Sequence, residues 1–107
     1  MKHISLKDTE NKSRKGDFAE YYAVTWLWDN GYEVFQNAGC TGPIDMIAVD
    51  KKGETLFIDV KTIHPNNNND KNPNCKKTRT KKQQQLGVQL LGFNPETRGL
   101  HFIDHKI

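Results

Sequence analysis

Residues 42–62, with the sequence GPIDMIAVDKKGETLFIDVKT, decide the fold of this chain. Two apolar runs, at 44–49 and 55–62, are rich in the β-branched and aromatic residues that strands favour. The pair Lys52-Gly53 stands between them and is typical of a tight hairpin turn. The stretch therefore predicts two neighbouring strands that are joined by a hairpin.

Each predicted strand contains an acidic residue in an otherwise apolar setting, Asp45 in the first and Asp59 in the second. Side chains alternate along a strand, so Asp59 and Lys61 project from one face. Ile58 and Val60 then enter the core from the other face. A charge among apolar side chains is costly unless something pairs with it. Because the two strands are hairpin neighbours, the two carboxylates can converge.

The segment before the hairpin has the pattern of an amphipathic helix over 15–29. Apolar residues recur there at three- and four-residue steps, and Asn30-Gly31 supplies a C-terminal stop. Glu20 lies at the edge of the apolar stripe and can be half buried, whereas Asp17 points further away. The helix thus supplies a third candidate carboxylate.

Three further elements complete the predicted order of helix, three strands, helix and strand. One strand covers 32–36 and precedes the hairpin, and a last short strand covers 100–105. Thr80 followed by Gln83 fits a capping box, which predicts a second helix over about 80–91. No repeat or domain boundary interrupts this order.

Length and composition bound the class of protein. With 107 residues, the chain is expected to form a single domain. Hydrophobic residues make up 35% and charged residues 27%, which indicates a globular protein with a modest core. There is no apolar run that could span a bilayer and no apolar stretch of a signal peptide, so we expect an intracellular, cytoplasmic protein. Cys40 and Cys75 are then expected to be free thiols rather than a disulfide.

Positive charge is concentrated in one part of the chain. The net charge of +3 is too small by itself to indicate nucleic acid, but six lysines and arginines lie within 71–82. This basic run follows an Asn-rich stretch, and we expect a mobile loop over about 63–79 and a loose arm over about 1–12. The run is either a solvated loop or a phosphate-binding surface.

Three carboxylates and one lysine at a rigid sheet edge suit a hard divalent cation. Mg²⁺ prefers oxygen ligands and keeps several waters, which is what phosphodiester hydrolysis requires. Lys61 could orient the attacking water or stabilise the developing negative charge. Taken one at a time, however, Glu20, Asp45 and Asp59 could each be an ordinary surface charge or an ion-pair partner.

The combined pattern resembles the PD-(D/E)xK nuclease superfamily, within it the archaeal-type Holliday junction resolvases and the YraN-type endonuclease-like proteins. The resemblance covers residues 15–107 and rests on three motifs, namely Lys15-Gly16 with Glu20, Gly42-x-x-Asp45 and Asp59-x-Lys61. It implies an α/β fold of the restriction-endonuclease-like type, with an αβββαβ core in which helices flank a central mixed sheet.

The resemblance also implies an activity, that of a Mg²⁺-dependent DNA endonuclease in which Mn²⁺ can substitute. Asp45 and Asp59 would bind the metal with the backbone carbonyl of Val60, and Glu20 would bind it directly or through water. Lys61 would lie at the attacking water.

Further residues are implied by the same resemblance. The second helix of such nucleases presents a polar residue to the site, and Gln83 is the candidate, although it can equally be only a capping residue. Seven residues are expected to contact DNA, namely Lys15, Thr62, Lys76, Lys77, Arg79, Lys81 and Lys82.

The resemblance limits the DNA substrate and the oligomeric state less closely than it limits the fold and the reaction. We favour a junction resolvase or another structure-selective nuclease of recombination or repair, with a site-specific homing- or restriction-type enzyme and a non-catalytic DNA-binding module as alternatives. Tyr21 and Trp28 lie on the outer side of the first helix, where they indicate a homodimer interface or simple exposure. A homodimer is favoured because cutting two strands needs two sites.

Overall fold

The computed structural model describes residues 12–39, 41–63 and 79–103. These residues form two helices and five strands, in the order α1 (Lys12–Asp29), β1 (Glu33–Gln36), β2 (Met46–Val49), β3 (Thr55–Thr62), α2 (Lys81–Leu86), β4 (Val88–Phe93) and β5 (Leu100–Phe102). Residues 1–11 of the predicted arm, most of the predicted basic loop, and both cysteines lie outside the described residues.

The strands form a mixed sheet in the order β1-β2-β3-β4-β5. Neighbouring strands are antiparallel, except that β3 and β4 run parallel. The β2–β3 hairpin is confirmed, with Gly53 in the left-handed region at φ 87°. Asp50 Oδ1 accepts the backbone N–H groups of Lys52 and Glu54, each at 2.9 Å. The predicted α/β class with a central mixed sheet is therefore confirmed.

Helix α1 packs on one face of this sheet. Ala23 and Leu27 are fully buried there against Met46, Ala48 and Ile58 of β2 and β3. Full burial of a leucine side chain such as that of Leu27 contributes about 1.5–3 kcal/mol, so this contact holds the helix at a fixed position on the sheet. The outward direction predicted for the aromatics of α1 is observed, since Tyr21 is 65% and Trp28 60% exposed.

The prediction of a helix over 80–91 was wrong in its second half. Helix α2 ends at Leu86, and Gly87 adopts a left-handed conformation at φ 73° that stops it. Residues 88–93 form β4, which is buried in the sheet beside β3. A strand that is covered on both faces is a continuous apolar run, and periodicity alone does not separate such a run from a buried helix. A helix over 80–91 would have placed Leu90 on the same face as Gln83, and this expectation is wrong because Leu90 belongs to β4.

Smaller differences concern the ends of elements. Helix α1 begins at Lys12, where the loose arm was expected to end. Strand β2 begins at Met46, so that Asp45 lies immediately before it rather than inside it. The last strand ends at Phe102, and residues 104–105 lie outside the described part of the chain.

Candidate active site

Asp45 and Asp59 face each other across the β2–β3 hairpin. Met46 pairs with Ile58 in the sheet register, which makes the two aspartates the next opposed positions. Their carboxyl groups are close enough to interact, since the contact with Asp59 raises the pKa of Asp45. The hairpin thus brings together two acids that are separated in sequence by the whole turn.

The carboxylate of Asp45 and its backbone N–H are each held by the backbone of β3. The N–H of Val60 donates to Asp45 Oδ2 at 2.7 Å, so an N–H of β3 is bonded to a side chain rather than to a carbonyl of β2. The N–H of Asp45 donates to the carbonyl of Ile58 at 2.9 Å. These two bonds orient the side chain at the point where the paired strands end.

Lys61 lies beside Asp59 on the same face of β3, as the alternation of the strand predicted. Its Nζ is 3.1 Å from Asp59 Oδ2. The lysine side chain is 40% exposed and that of Asp59 is 10% exposed. In this ion pair the carboxylate of Asp59 is buried and the ammonium of Lys61 is accessible to solvent.

Gln83 connects the site with two other parts of the chain. Its Nε2 donates to Asp59 Oδ2 and to the carbonyl of Pro43, each at 3.0 Å. Its Oε1 accepts the N–H of Thr80, and its own N–H donates to the Thr80 hydroxyl, which completes a capping box. The predicted capping box is confirmed, and the same amide contacts Asp59, while a role of Gln83 in catalysis stays a prediction.

Glu20 lies on α1 at the edge of the buried stripe and is half-buried, as predicted. Burial raises its pKa above the usual value, and the charges of Asp17 and Asp59 raise it further. Glu20 is thus close enough to the sheet to interact electrostatically with Asp59, although no hydrogen bond joins it to another described residue.

The two aspartates repel each other unless a proton or a cation lies between them. Burial is the largest of the effects that raise the pKa of Asp45 to about 7, followed by its hydrogen bond with Asp59. The Val60 N–H acts in the opposite direction, and the charges of Asp59 and Glu20 raise the pKa further. Below about pH 7 Asp45 therefore holds a proton that a bound cation could replace.

The donor set fits a cation that completes its own coordination with water. Within the described ranges, no group of three or more His, Cys, Asp or Glu side chains is arranged to hold a metal ion. Mg²⁺ does not require such a cage, because it is commonly bound through one or two carboxylates and keeps several waters. Asp45 and Asp59 supply two carboxylates, and the neighbouring backbone carbonyl of Val60 is a further oxygen donor.

The residues expected to contact DNA differ in their surroundings. Lys81 and Lys82 are exposed in the first turn of α2, close in sequence to Gln83. Arg79 instead donates from Nη1 to the carbonyl of Val88 at 3.2 Å, which ties the segment before α2 to β4. Thr62 is the last residue of β3 and is half-buried.

The other predicted DNA contacts lie on α1 or outside the described residues. Lys15 belongs to α1. Lys76 and Lys77 lie outside the described residues. One site contact that sequence reasoning missed is the carbonyl of Pro43, a partner of Gln83 that lies 40 residues away along the chain.

The matched family agrees with this arrangement. Residues 19–91, more than half of the chain, match the uncharacterised protein family UPF0102. The chain belongs to this family. UPF0102 proteins are YraN-like and related to the PD-(D/E)xK nucleases, so the resemblance drawn from the motifs is confirmed at the level of family. The matched segment of this UPF0102 chain includes Glu20, Asp45, Asp59, Lys61 and Gln83.

Two further findings accompany the family match. No curated protein and no solved structure matches this UPF0102 chain. Among the described residues, neither helix has the length and apolar character needed to cross a membrane.

Proposed function

We propose that this chain is a Mg²⁺-dependent endonuclease that hydrolyses phosphodiester bonds in DNA. The observation that carries the proposal is the paired carboxyl groups of Asp45 and Asp59, with the Lys61 ammonium 3.1 Å from Asp59. Two acids and a lysine around one sheet edge are the groups that metal-assisted phosphoryl transfer uses. Membership in a family related to the nuclease superfamily supports the same reaction class.

Asp45, Asp59 and the carbonyl of Val60 are the proposed metal ligands, and Mn²⁺ should substitute for Mg²⁺. A cation held there would polarise a phosphoryl oxygen and lower the pKa of a bound water. The Val60 N–H and Gln83 fix one carboxylate oxygen each, at 2.7 Å and 3.0 Å, before any substrate arrives. Such preorganisation avoids the cost of arranging charged groups during the reaction.

Lys61 is proposed to act on the attacking water and on the developing negative charge. Its ammonium is anchored by Asp59 on one side, and its partial exposure leaves room for substrate on the other. Glu20 is proposed to take part directly or through a water, from its position beside the sheet. Burial is the main cause of its raised pKa, and the charges of Asp17 and Asp59 add a smaller effect that a cation would relieve.

We further propose that the enzyme recognises DNA structure rather than sequence, as a resolvase-like nuclease of recombination or repair does. Few described elements remain outside the core to contact base edges, which favours shape recognition over direct readout. The outward aromatics Tyr21 and Trp28 support a homodimer, which would supply one site for each strand of a branched substrate.

The test is a cleavage assay over roughly tenfold steps of Mg²⁺ or Mn²⁺ concentration, a range chosen for a weak oxygen-ligand site. Supercoiled plasmid, linear duplex and a four-way junction are offered side by side. Lys61→Ala is compared with Lys51→Ala, because Lys51 is an exposed lysine on the β2–β3 turn, at the far end of β3.

We expect metal-dependent cleavage that is strongest on the junction, is lost in Lys61→Ala and is unchanged in Lys51→Ala. Preferred cutting of one duplex sequence would instead support a site-specific enzyme. DNA binding without cleavage under any metal would overturn the nuclease proposal in favour of a non-catalytic binding module.

A further inference from the structure

Arg98 occupies an unfavourable backbone conformation at the tip of the β4–β5 hairpin. Its φ of 63° is left-handed, and no other described residue except glycine has a positive φ. The backbone N–H of Arg98 donates to the carbonyl of Asn94 at 2.6 Å, and the N–H of Asn94 donates to the carbonyl of Gly99 at 3.0 Å. Glycine or asparagine would adopt this conformation more easily, so the backbone alone does not favour an arginine at this position.

The guanidinium of Arg98 is held against two aromatic rings of α1. Its Nη1 donates to the Tyr22 hydroxyl at 2.7 Å. Its Cζ lies 5.4 Å from the ring centroid of Phe18 and 5.5 Å from that of Tyr22, and these two rings stack at 5.1 Å. Cation–π contact and one hydrogen bond thus fix the orientation of an exposed cation.

This cation has no acidic partner among the described residues, since none of their carboxylates forms an ion pair with it. A guanidinium has five N–H donors, and a single donor is used by Tyr22. The remaining donors face solvent on an exposed residue. An oriented arginine without a carboxylate is suited to an anionic ligand.

Arg98 lies at the end of the sheet that carries the carboxylate pair. Lys61 pairs with Gly92 in the parallel β3–β4 register. The hairpin turn begins two residues after Gly92, about 7 Å further along the strand direction at the usual rise per residue. The rings that hold Arg98 belong to Phe18 and Tyr22, two residues before and two after Glu20, so they project from the side of α1 opposite to Glu20.

We propose that Arg98 binds a phosphate of the DNA backbone at the end of the sheet that carries the carboxylate pair, an inference that rests on the proposed nuclease function. The planar guanidinium fork matches two phosphate oxygens, and stacking on the rings reduces the freedom that binding would otherwise remove. The contact adds to the proposed function, because the bound DNA would then extend from Lys61 across the β4–β5 hairpin.

The test measures binding of a fluorescein-labelled four-way junction and of a labelled duplex by fluorescence anisotropy. Ca²⁺ replaces Mg²⁺, because it takes oxygen ligands but with a looser geometry. Arg98→Asn removes the cation and suits the left-handed backbone, so it leaves the turn intact. Lys51→Asn is the matched control, which removes one exposed positive charge at the opposite end of the sheet.

Arg98→Asn should raise Kd several-fold at low salt and reduce the slope of log K against log salt concentration by about 1, the contribution of one lost phosphate contact. Arg98→Lys should keep the slope and lose part of the affinity. Tyr22→Phe, which frees Nη1 and keeps both rings, should give a smaller loss of affinity than Arg98→Asn. Lys51→Asn should match the wild-type protein.

Two results would overturn the proposal in distinguishable ways. If the wild-type protein binds and cuts DNA while Arg98→Asn lowers only the melting temperature, Arg98 merely pins the hairpin to α1 and the nuclease proposal stands. If the wild-type protein neither binds nor cuts any of these substrates, the nuclease proposal fails and the role of Arg98 fails with it.

Discussion

The side-chain amide of Gln83 donates to Asp59 Oδ2 at 3.0 Å and, from the same nitrogen, to the carbonyl of Pro43 at 3.0 Å. Its oxygen accepts the N–H of Thr80 at 3.0 Å. One buried amide therefore joins the start of α2, the loop before β2 and an acid of β3. The positions of Asp45 and Asp59 relative to each other depend on this junction as well as on the hairpin.

Replacement of Gln83 by Glu should separate its two roles. The new carboxylate can still accept the Thr80 N–H, but it places an acceptor against Asp59 where a donor stood. We expect cleavage to fall at least about tenfold and the metal-free protein to lose about 1–3 kcal/mol of stability, because a buried hydrogen bond becomes a repulsion. Gln85→Glu, at an exposed position of the same helix, is the control. Equal activities of the two variants would contradict a role of Gln83 at the site.

Substitution of Lys61 should strongly reduce the cleavage rate and leave the fold intact. Lys61→Ala removes the ammonium that lies 3.1 Å from Asp59. We expect the cleavage rate to fall on the order of a hundredfold or more, the range seen when one stabilising donor is removed from a transition state. Single-turnover rates on prebound DNA measure this directly. A rate close to that of the wild-type protein would show that Lys61 is not part of the chemistry.

The stability of the metal-free protein should fall as the pH rises. Burial and the contact with Asp59 raise the Asp45 pKa from 3.8 to about 7, so the folded chain holds this proton more tightly than the unfolded chain. The free energy of unfolding then decreases from about pH 4 to about pH 7 and levels off above this range, as far as Asp45 contributes. Urea unfolding in EDTA measures the trend. Asp45→Asn should flatten it, and an equal slope in that variant would assign the effect to other groups.

Mg²⁺ should stabilise the folded protein through the carboxylate pair. A ligand that binds only the folded state adds about 2.7 kcal/mol at a concentration of a hundred times its Kd. We expect the melting temperature to rise with Mg²⁺ in the wild-type protein and in Asp29→Asn, an exposed acid at the end of α1. The rise should be absent in Asp59→Asn. A rise of the same size in all three proteins would place the cation elsewhere.

The end of α2 should depend on the left-handed residue that follows it. Gly87 has a φ of 73°, and a Cβ atom at this position would meet no neighbour. Gly87→Ala should therefore destabilise the fold by about 1–2 kcal/mol through backbone strain alone. Gly87→Asn should cost less, because asparagine tolerates this conformation. Thermal or urea unfolding compares the three proteins, and an alanine variant as stable as the wild-type protein would disprove the strain.

Local sequence patterns were sufficient to predict the structure where the residues that contact each other are also close in sequence. The β2–β3 hairpin, the buried stripe of α1 and the shared face of Asp59 and Lys61 all follow from periodicity over a few residues. The helix expected through residue 91 failed because β4 is buried on both faces, and its apolar run carries no period. Gly87 was the available signal for that boundary, as a helix-stopping glycine rather than a weak helix residue.

The sequence by itself determined the order of most elements and the residue types of the candidate site, because those depend on alternation, capping and turn chemistry within short segments. Only the tertiary structure decided how distant segments meet. Gln83 contacts Pro43 across 40 residues, and Arg98 contacts Tyr22 across 76. Local propensity carries no information about such pairs, because their geometry depends on how α1, the hairpins and α2 pack on one sheet. The elevated Asp45 pKa is decided in the same way, since burial and an opposed carboxylate exist only in the folded chain.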